Sequence, residues 1–410
     1  MRLKLNRLLG IPHKLLLLVL LVPVVAVARL VKPWFLIRWG VLPSSRIGHF
    51  AANTELYLCE RDAGINLPCK PHIDIFFMES VVCNEQLAVM WKRLLRICPF
   101  WWLATPLKRA NRLIPGGAVH EIGENTPGDR DVHYLMSQLL PHLSFSVEEE
   151  DRGEAGLRMM GIPAGTPFVC LIVRDAAYLD AHQSKDWSYH NFRDSDIQNY
   201  VLAAEAIADR GYFVLRMGAK VSQKIKSSHP KVIDYAKNGM RSEFMDIYLG
   251  AKCSFCLSGG AGFEAIPTIF RRPIAQVNMV PVGYIQTYRH QSICITKHHY
   301  SVKMGRNLTL REIFLTGYAL LLRTSDYDLE EIKLIENTPE EIRDVAIEMS
   351  KRVYGTWVEE STDAYLQIRF QEIFFTAIEA EAYALKSLHG NEIRVRLGAQ
   401  FVVDNSYFLI

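Results

Sequence analysis

Short apolar runs alternate with helical patterns through the second half of the chain, and this alternation limits the possible folds more than any other feature. Phe168–Val173 is a continuous apolar run, typical of a strand buried on both faces of a parallel sheet. Asp196–Arg210 follows with helical periodicity and ends at Gly211. Further strand candidates are Tyr212–Arg216, Cys253–Leu257 and Pro273–Asn278, and further helices run through Phe244–Gly250 and begin at Thr338. This order predicts a doubly wound α/β domain.

The first half shows the same alternation. Its strand candidates are Phe35–Leu42 and His72–Met78, and its helix candidates are Phe50–Leu58 and Asn84–Ile97. We interpret the charged, glycine-rich segment Val147–Gly165 between the halves as a linker. The predicted division is therefore an N-terminal segment 1–38, a Rossmann-like domain 39–150, a second Rossmann-like domain 151–375 and a helical tail 376–410.

The charges are distributed unevenly. The chain has 47 Lys and Arg against 44 Asp and Glu, a net charge of +3, and residues 1–40 hold seven of the bases and no acid. The other 370 residues therefore carry 40 bases against 44 acids. A nucleic-acid-binding protein would need a basic folded face, so we expect no nucleic acid as a partner. A basic tail instead favours a membrane surface.

An apolar run, Leu15–Ala28, lies within this tail. It is 14 residues long, whereas a helix that spans a bilayer needs about 20 apolar residues. Trp34 and Trp39 resemble interfacial aromatic anchors. We expect a monotopic or re-entrant anchor, with a single span as the second choice. A cleaved signal peptide is a third interpretation, because Ala26-Val27-Ala28 fits the small-x-small cleavage pattern.

Neither cysteine nor histidine pairs predict a metal site. The eight cysteines are scattered through apolar strings, which favours reduced, buried thiols. Cys253-x-x-Cys256 has no second pair or histidine at suitable spacing, so we expect it to pack in the core. The adjacent His298-His299 is predicted to lie on the surface or in a loop, since neighbouring strand residues point in opposite directions.

A glycine turn follows directly after the strand candidate Cys253–Leu257. Its sequence is Ser258-Gly259-Gly260-Ala261-Gly262-Phe263-Glu264. Ligands of open α/β sheets bind beyond the carboxyl ends of the strands, and glycines let the backbone approach a phosphate there. Glu264 is a candidate for ribose hydroxyls or, alternatively, for capping the next helix. The turn lacks the G-x-G-x-x-G pattern and comes late in the chain, which argues against a nicotinamide cofactor.

Charged residues follow other predicted strands in the same way. Arg174 and Asp175 come after Phe168–Val173 and are candidates for either a ligand contact or a structural ion pair. Arg193 precedes the helix that begins near Asp196 and is a candidate for a diphosphate. The pattern Asp194-x-Asp196 recurs elsewhere in the chain, so it is a weak metal motif, and a helix cap is the better interpretation.

Two further loops complete the set of candidates. Arg216 and Gly218 follow the strand Tyr212–Arg216 and are candidates for a phosphate contact. In the first half, Arg46-Ile47-Gly48-His49 follows the first strand. His49 is a candidate for a general base or a substrate contact, with a structural histidine as the alternative.

Several of these motifs occur in an order that resembles a family of bacterial glycosyltransferases of GT-B type associated with surface-polysaccharide genes. The resemblance spans residues 40–400. It is carried by Arg46–His49 with Asn53–Glu55, His190–Ile197, Phe244–Lys252 and Ser258–Gly262.

The resemblance implies two Rossmann-like, doubly wound domains that face a cleft. The C-terminal domain would bind a nucleotide-sugar donor as co-substrate, with no other cofactor and no metal. The N-terminal domain would hold a surface-glycan or lipid-linked acceptor at the cytoplasmic face of the inner membrane. A nucleotide-sugar epimerase or hydrolase of the same fold and a non-catalytic scaffold in a polysaccharide assembly complex are the alternatives.

The resemblance also implies roles for individual residues. The expected catalytic residues are His49 and Arg193, and the expected acceptor-side residues are Arg46, Gly48, Asn53 and Glu55. The expected contacts to the donor nucleotide and its phosphates are Arg174, Asp175, Arg216, Gly218, Ser258, Gly259, Gly260, Gly262 and Glu264.

Overall fold

The computed structural model describes residues 2–123, 129–177, 187–380 and 385–410, with side chains from residue 16 onward. These residues form two compact units, unit 1 (residues 1–129) and unit 2 (residues 130–410). The division falls earlier in the chain than the predicted boundary at residue 150. The result is a mixed α/β fold with parallel sheets in both units.

Unit 1 contains a small parallel sheet. Its elements are α1 (Arg2–Val31), β1 (Leu36–Val41), α2 (Ile47–Asp62), β2 (His72–Phe77), α3 (Glu85–Leu94), β3 (Ile97–Cys98) and α4 (Ala104–Leu113). The predicted strands and helices of this half are confirmed to within a few residues. Among its described residues, however, the sheet has three strands in the order β1-β2-β3. The strand order does not reverse, so unit 1 differs from the predicted doubly wound domain.

Helix α1 packs against the core of unit 1. Val25 and Ala28 of this helix lie buried with Trp39, Phe77 and Leu107. Trp39 therefore has a core position, which its prediction as an interfacial anchor did not anticipate. Within the described part of the chain, we find no helix with the length and apolarity needed to cross a membrane.

Unit 2 is built on a large parallel sheet. Its strands are β4 (Phe168–Ile172), β5 (Phe213–Arg216), β6 (Val232–Ile233), β7 (Phe255–Ser258), β8 (Ile274–Met279), β9 (Ser292–Thr296), β10 (His298–Ser301), β11 (Arg306–Asn307), β12 (Ile332–Ile335) and β13 (Arg396–Leu397). Its helices are α5 (Val147–Met159), α6 (Val201–Asp209), α7 (Glu243–Lys252), α8 (Ala265–Ile269), α9 (Leu310–Leu315), α10 (Thr324–Leu329), α11 (Pro339–Val353), α12 (Ser361–Ala380) and α13 (Ala399–Asp404).

The strand order of this sheet is β13-β9-β8-β7-β4-β5-β6, with parallel neighbours throughout. The chain runs outward from β4 to β6 and then returns to the other side of β4 with β7. Alternate residues of β4 enter two cores: Val169 and Leu171 pack in one, Cys170 and Ile172 in the other. The doubly wound prediction is confirmed for unit 2, and its switch point lies between β4 and β7.

The predicted linker Val147–Gly165 was wrong, because its first part forms α5. Ser146 caps this helix in a capping box with Glu149. A Cβ at Gly156 would lie 2.6 Å from the Met245 sulfur, and one at Gly153 would collide with the Tyr248 ring. The glycines therefore permit close packing against α7 rather than flexibility.

The predicted helical tail 376–410 is part of unit 2. The boundary at residue 375 falls within α12, and β13 pairs with β9 at the edge of the sheet. Strand β13 has only two residues, which is too short for an alternating pattern to predict a strand.

The prediction for the cysteine pair is confirmed, whereas the prediction for the histidine pair is not. Cys253 and Cys256 are fully buried, as predicted. His298 and His299 lie on β10 of a second, antiparallel sheet of order β11-β10-β12, so their prediction as surface or loop residues was wrong. His299 is buried, and burial lowers its pKa to about 4. His298 lies 3.1 Å from the Glu341 carboxylate.

Candidate functional site

The glycine turn and the loop after β4 begin side by side at the switch point. Ile172, at the end of β4, is paired with Ser258, at the end of β7. The Gly259 amide extends this pairing by donating to the Ile172 carbonyl over 2.8 Å. Both loops therefore leave the carboxyl edge of the sheet where a doubly wound domain binds its ligand.

The segment 188–196 crosses this edge and contacts both loops. Arg193 Nη2 donates to the carbonyl oxygen of Gly260 over 3.0 Å. Arg174 Nε donates to Asp194 Oδ1 over 3.1 Å, and the Ser195 amide donates to the Arg174 carbonyl over 3.1 Å. The structure thus brings together Arg174, Arg193 and the glycine turn, which are far apart in the sequence.

Lys297 joins this group, and the sequence analysis missed it. It follows β9 directly, is only 4% exposed, and its Nζ donates to the Asp194 carbonyl over 2.6 Å. Burial lowers the pKa of this ammonium, while the charges of Glu336 and Asp194 oppose that shift. The apolar run Ser292–Thr296 before it was the available signal, because the rule that selects residues after buried strands applies there too.

We call Arg174, Arg193, Asp194 and Lys297 the open cluster. It holds three cations and one carboxylate, of which Arg174 and Asp194 form an ion pair and retain partial solvent exposure. Burial raises the pKa of Asp194, and the charge and hydrogen bond of Arg174 oppose this. Guanidinium groups beside glycine amides are suited to an anionic ligand such as a diphosphate.

Two further carboxylates moderate the positive field of the open cluster. Asp175 accepts from the amide and the hydroxyl of Ser222 over 2.9 and 3.0 Å. Glu336 accepts from Asn199 Nδ2 over 3.0 Å. Affinity for an anion would therefore depend on direct contacts to the guanidinium groups rather than on net charge.

A second polar group, which we call the closed network, lies inside the glycine turn and consists of Ser258, Glu264, Gln276 and Arg289. The Ser258 hydroxyl donates to Glu264 over 2.7 Å and accepts from the Gly260 amide over 3.1 Å. Glu264 also accepts from Arg289 over 3.1 Å and from Gln276 over 3.4 Å. All four side chains are buried.

The closed network gives Glu264 a structural role. Its carboxylate makes no cap bond to the helix that follows, so the alternative of a helix cap was wrong. The predicted ribose contact stays a prediction, and it would require Glu264 to share or exchange its present partners. The same holds for Ser258, whose hydroxyl already joins Glu264 to the turn.

The glycines of the turn differ in their structural roles. A Cβ at Gly259 would lie 2.6 Å from the Tyr200 hydroxyl oxygen, so a side chain has no room there. Gly260 has a φ of +78°, which favours glycine. Gly262 begins a single 3₁₀ turn, and α8 after it has only five residues. The dipole of so short a helix adds less than the sequence analysis expected.

Arg216, where the loop after β5 begins, is more buried than its predicted phosphate contact would require. Arg216 is 1% exposed, and its Nη1 lies 3.3 Å from Asp234 Oδ1. Burial lowers its pKa, with Asp234 opposing. Gly218 has a φ of +146°, and a Cβ there would lie 2.5 Å from Val221. These residues shape the loop, and their predicted phosphate contacts stay predictions.

The predicted acceptor-side residues are spread over the first turns of α2. Arg46 occupies the N-cap position with an exposed side chain, and Gly48 and His49 lie in the first turn. Asn53 lies one turn after His49 on the same face, whereas Glu55 points elsewhere and is fully buried, 3.8 Å from the Cys59 sulfur. The structure therefore separates Glu55 from the other candidates.

Comparison with known proteins gives a weak likeness. No family model and no curated protein sequence matches the chain. The Escherichia coli ADP-heptose LPS heptosyltransferase II is 12% identical with a TM-score of 0.38, covering 63% of this chain and 90% of that one. The glycosyl transferase family 9 protein of Veillonella parvula is 10% identical with a TM-score of 0.44, covering 76% and 97%.

A third solved structure is the dodecameric iron-containing heptosyltransferase TibC of enterotoxigenic Escherichia coli, in complex with ADP-D-beta-D-heptose. It is 11% identical with a TM-score of 0.37, and the match covers 77% of each chain. At this identity and superposition, the likeness decides neither the fold nor the function.

Proposed function

We propose that the protein is a glycosyltransferase that moves a sugar from a nucleotide-sugar donor to a glycan or lipid-linked acceptor. The observation that carries the proposal is the convergence of the glycine turn with Arg174, Arg193 and Lys297 at the switch point of unit 2. A donor of this class presents a diphosphate, and this edge of the sheet offers backbone and guanidinium donors to it.

The proposed chemistry uses these donors to stabilise the leaving group. The bond between the anomeric carbon and the diphosphate oxygen breaks, and its electron pair leaves with the nucleoside diphosphate. The acceptor hydroxyl oxygen forms the new bond, and its proton passes to a base, for which we propose His49. Arg193 is the proposed catalytic cation, because charge develops on the diphosphate in the transition state.

The proposed organisation is of GT-B type, with the donor in unit 2 and the acceptor in unit 1. The proposed acceptor contacts are Arg46, Gly48 and Asn53, because the predicted contact Glu55 is fully buried. The proposed donor contacts include Asp175, Arg216, Gly218 and Glu264. The reaction as proposed needs no metal ion and no cofactor beyond the donor. We place it at the cytoplasmic face of the inner membrane, with the N-terminal segment on the membrane surface.

Thermal unfolding with UDP, GDP, CDP and ADP tests the donor site. A nucleotide at a hundred times its Kd stabilises the folded state by about 2.7 kcal/mol. We expect at least one to raise the Tm of the native chain and of Arg343→Ala, a control arginine of unit 2 paired with Asp344. Arg193→Ala should show a clearly smaller rise at the same nucleotide concentration. No rise with any nucleotide would reject the donor site and favour a scaffold.

The alternatives within the fold differ in their products. A transferase releases a nucleoside diphosphate only when an acceptor is present. An epimerase alters the sugar and a hydrolase frees it without an acceptor. Mass spectrometry of the nucleotide and sugar products, with and without membrane glycolipid extract, separates the three.

A further inference from the structure

Helix α1 exposes an apolar stripe along its length. Val25 and Ala28 face inward, while side chains three or four residues apart face outward and are 53–71% exposed. The outward residues are Leu16, Val19, Leu20, Val24, Val27 and Leu30. A contiguous apolar surface of this kind marks an interaction site.

Exposed aromatic side chains flank α1 and α4 in the sequence. Phe100, Trp101 and Trp102 precede α4 and are 45–52% exposed, and Trp34 after α1 is 76% exposed. Helix α4 packs against α1, and Arg29 of α1 hydrogen-bonds Asn111 of α4. Tryptophan is enriched where a bilayer meets water, because its ring is apolar and its N–H is polar.

An open apolar groove of about 460 Å³ runs between α1 and the sheet of unit 1. Val24 and Val27 form one wall, and Ile37, Trp39 and Phe77 form the other. No residue that lines it carries a charge. The groove has the chemistry to receive an acyl chain.

The charge of the flanking sequence indicates which partner this apolar surface binds. Residues 1–54 hold eight Lys and Arg and no acid, and residues 86–120 hold six and no acid. Lys108, Arg109 and Arg112 on α4 are exposed. Glu121 lies 3.6 Å from Arg112, whereas among the described residues no ion pair involves Lys108 or Arg109. Basic side chains next to apolar and aromatic ones complement an anionic phospholipid bilayer.

We propose that this α1–α4 face, comprising the exposed stripe of α1, Phe100–Trp102 and the basic residues of α4, docks on an anionic phospholipid bilayer and takes an acyl chain into the groove. The apolar side chains enter the interface, and the lysines and arginines contact the lipid phosphates. The proposal extends the membrane contact beyond residues 1–38 and stands apart from the donor site.

Vesicle co-sedimentation of the full chain tests the charge contribution. We expect binding to vesicles of phosphatidylglycerol and phosphatidylcholine, and little binding to phosphatidylcholine alone. Lys108→Glu with Arg109→Glu should weaken binding by at least about tenfold. Lys224→Glu with Lys226→Glu, which changes two exposed lysines of unit 2, should leave it unchanged. Equal loss in both double variants would overturn the proposal.

The apolar contribution has its own test. Trp101→Ala with Trp102→Ala should weaken binding, whereas Val358→Ala with Tyr365→Ala, an exposed apolar pair of unit 2, should not. Brominated acyl chains should quench part of the fluorescence of a Trp34→Phe, Trp101→Phe, Trp102→Phe chain, and adding Trp39→Phe should remove that quenching. Absence of quenching would overturn the acyl chain in the groove. Concentration-dependent dimerisation that Val24→Asp with Val27→Asp abolishes would assign the face to a second copy instead.

Discussion

The open cluster and the closed network lie at the same edge of one sheet, yet they are built differently. In the closed network, Glu264 pairs directly with Arg289, and the Ser258 and Gln276 side chains also donate hydrogen bonds to the Glu264 carboxylate. In the open cluster, Arg174 pairs with the Asp194 carboxylate, whereas Lys297 and Arg193 donate to backbone carbonyl oxygens. Arg174 and Asp194 remain partly exposed. A buried network whose carboxylate is paired internally supports the turn, whereas a cluster that reaches solvent is accessible to a ligand.

This difference separates residues that the sequence had placed in one class. Glu264 and Arg193 were both expected to contact the donor. The structure gives Glu264 several buried partners, and it gives Arg193 a position beside the Gly260 carbonyl. Variants of the closed network should therefore change stability first, and variants of the open cluster should change ligand affinity first.

Glu264→Ala should have the largest effect. It leaves the buried Arg289 guanidinium without its acid, and breaking a buried pair in this way costs about 3–5 kcal/mol in free energy of unfolding. Urea unfolding measures the loss. Glu372→Ala removes an exposed glutamate that lies 3.4 Å from Arg369 and should cost at most about 1 kcal/mol.

A double variant tests whether the loss of stability comes from the unpaired charge of Arg289. Glu264→Leu with Arg289→Met removes both charges, so it should be more stable than Glu264→Ala. A Glu264→Gln protein that folds normally but loses nucleotide affinity would contradict the purely structural role and support the ribose contact.

Arg193→Ala should have the next largest effect, on affinity. Loss of a hydrogen bond to a charged phosphate costs about 1.5–3 kcal/mol, or roughly 10–100-fold in Kd for the stabilising nucleotide. Calorimetric titration measures it. The free energy of unfolding without nucleotide should change little, because Arg193 is only half-buried. Unchanged affinity would remove Arg193 from the donor site.

Gly259→Ala tests how closely the turn approaches α6 and the residues before it. The new methyl would lie 2.6 Å from the Tyr200 hydroxyl oxygen, and such overpacking costs about 1–3 kcal/mol. Tyr200→Phe removes that oxygen and should restore part of the stability when the two changes are combined. Thermal unfolding of the four proteins gives the coupling. Additive losses would show that the turn shifts without meeting Tyr200.

The strands and the glycine turn that form the site could be predicted from the sequence, because they depend on local patterns. The apolar runs Phe168–Val173 and Cys253–Leu257 predicted β4 and β7 to within two residues at each end. Their order in the chain predicted a switch point, and the glycines after the second run marked the turn. Each of these signals is contained in a short window of sequence.

The partners of the site residues could not be predicted, because they depend on which strands become neighbours. Glu264 meets Gln276 and Arg289 only because β8 pairs with β7, and Lys297 reaches Asp194 only because β9 lies beside β8. The glycines of α5 led to the wrong prediction of a linker. They lower helix propensity locally, and their value lies in contacts with a distant helix.

The pH dependence of nucleotide affinity is the smallest expected effect, and it concerns the open cluster alone. Burial lowers the pKa of Lys297 from 10.5, so its charge is lost at lower pH than that of an exposed lysine. Above pH 8 the diphosphate is already fully ionised. Affinity should therefore fall with rising pH above 8, at lower pH than loss of the charge of an exposed lysine would cause. The fall should be about 1 kcal/mol or roughly fivefold, because the lysine acts through the Asp194 peptide rather than by touching the ligand. Lys297→Met should bind more weakly at pH 8 and show no further fall, whereas an unchanged fall in this variant would assign the titration to another group.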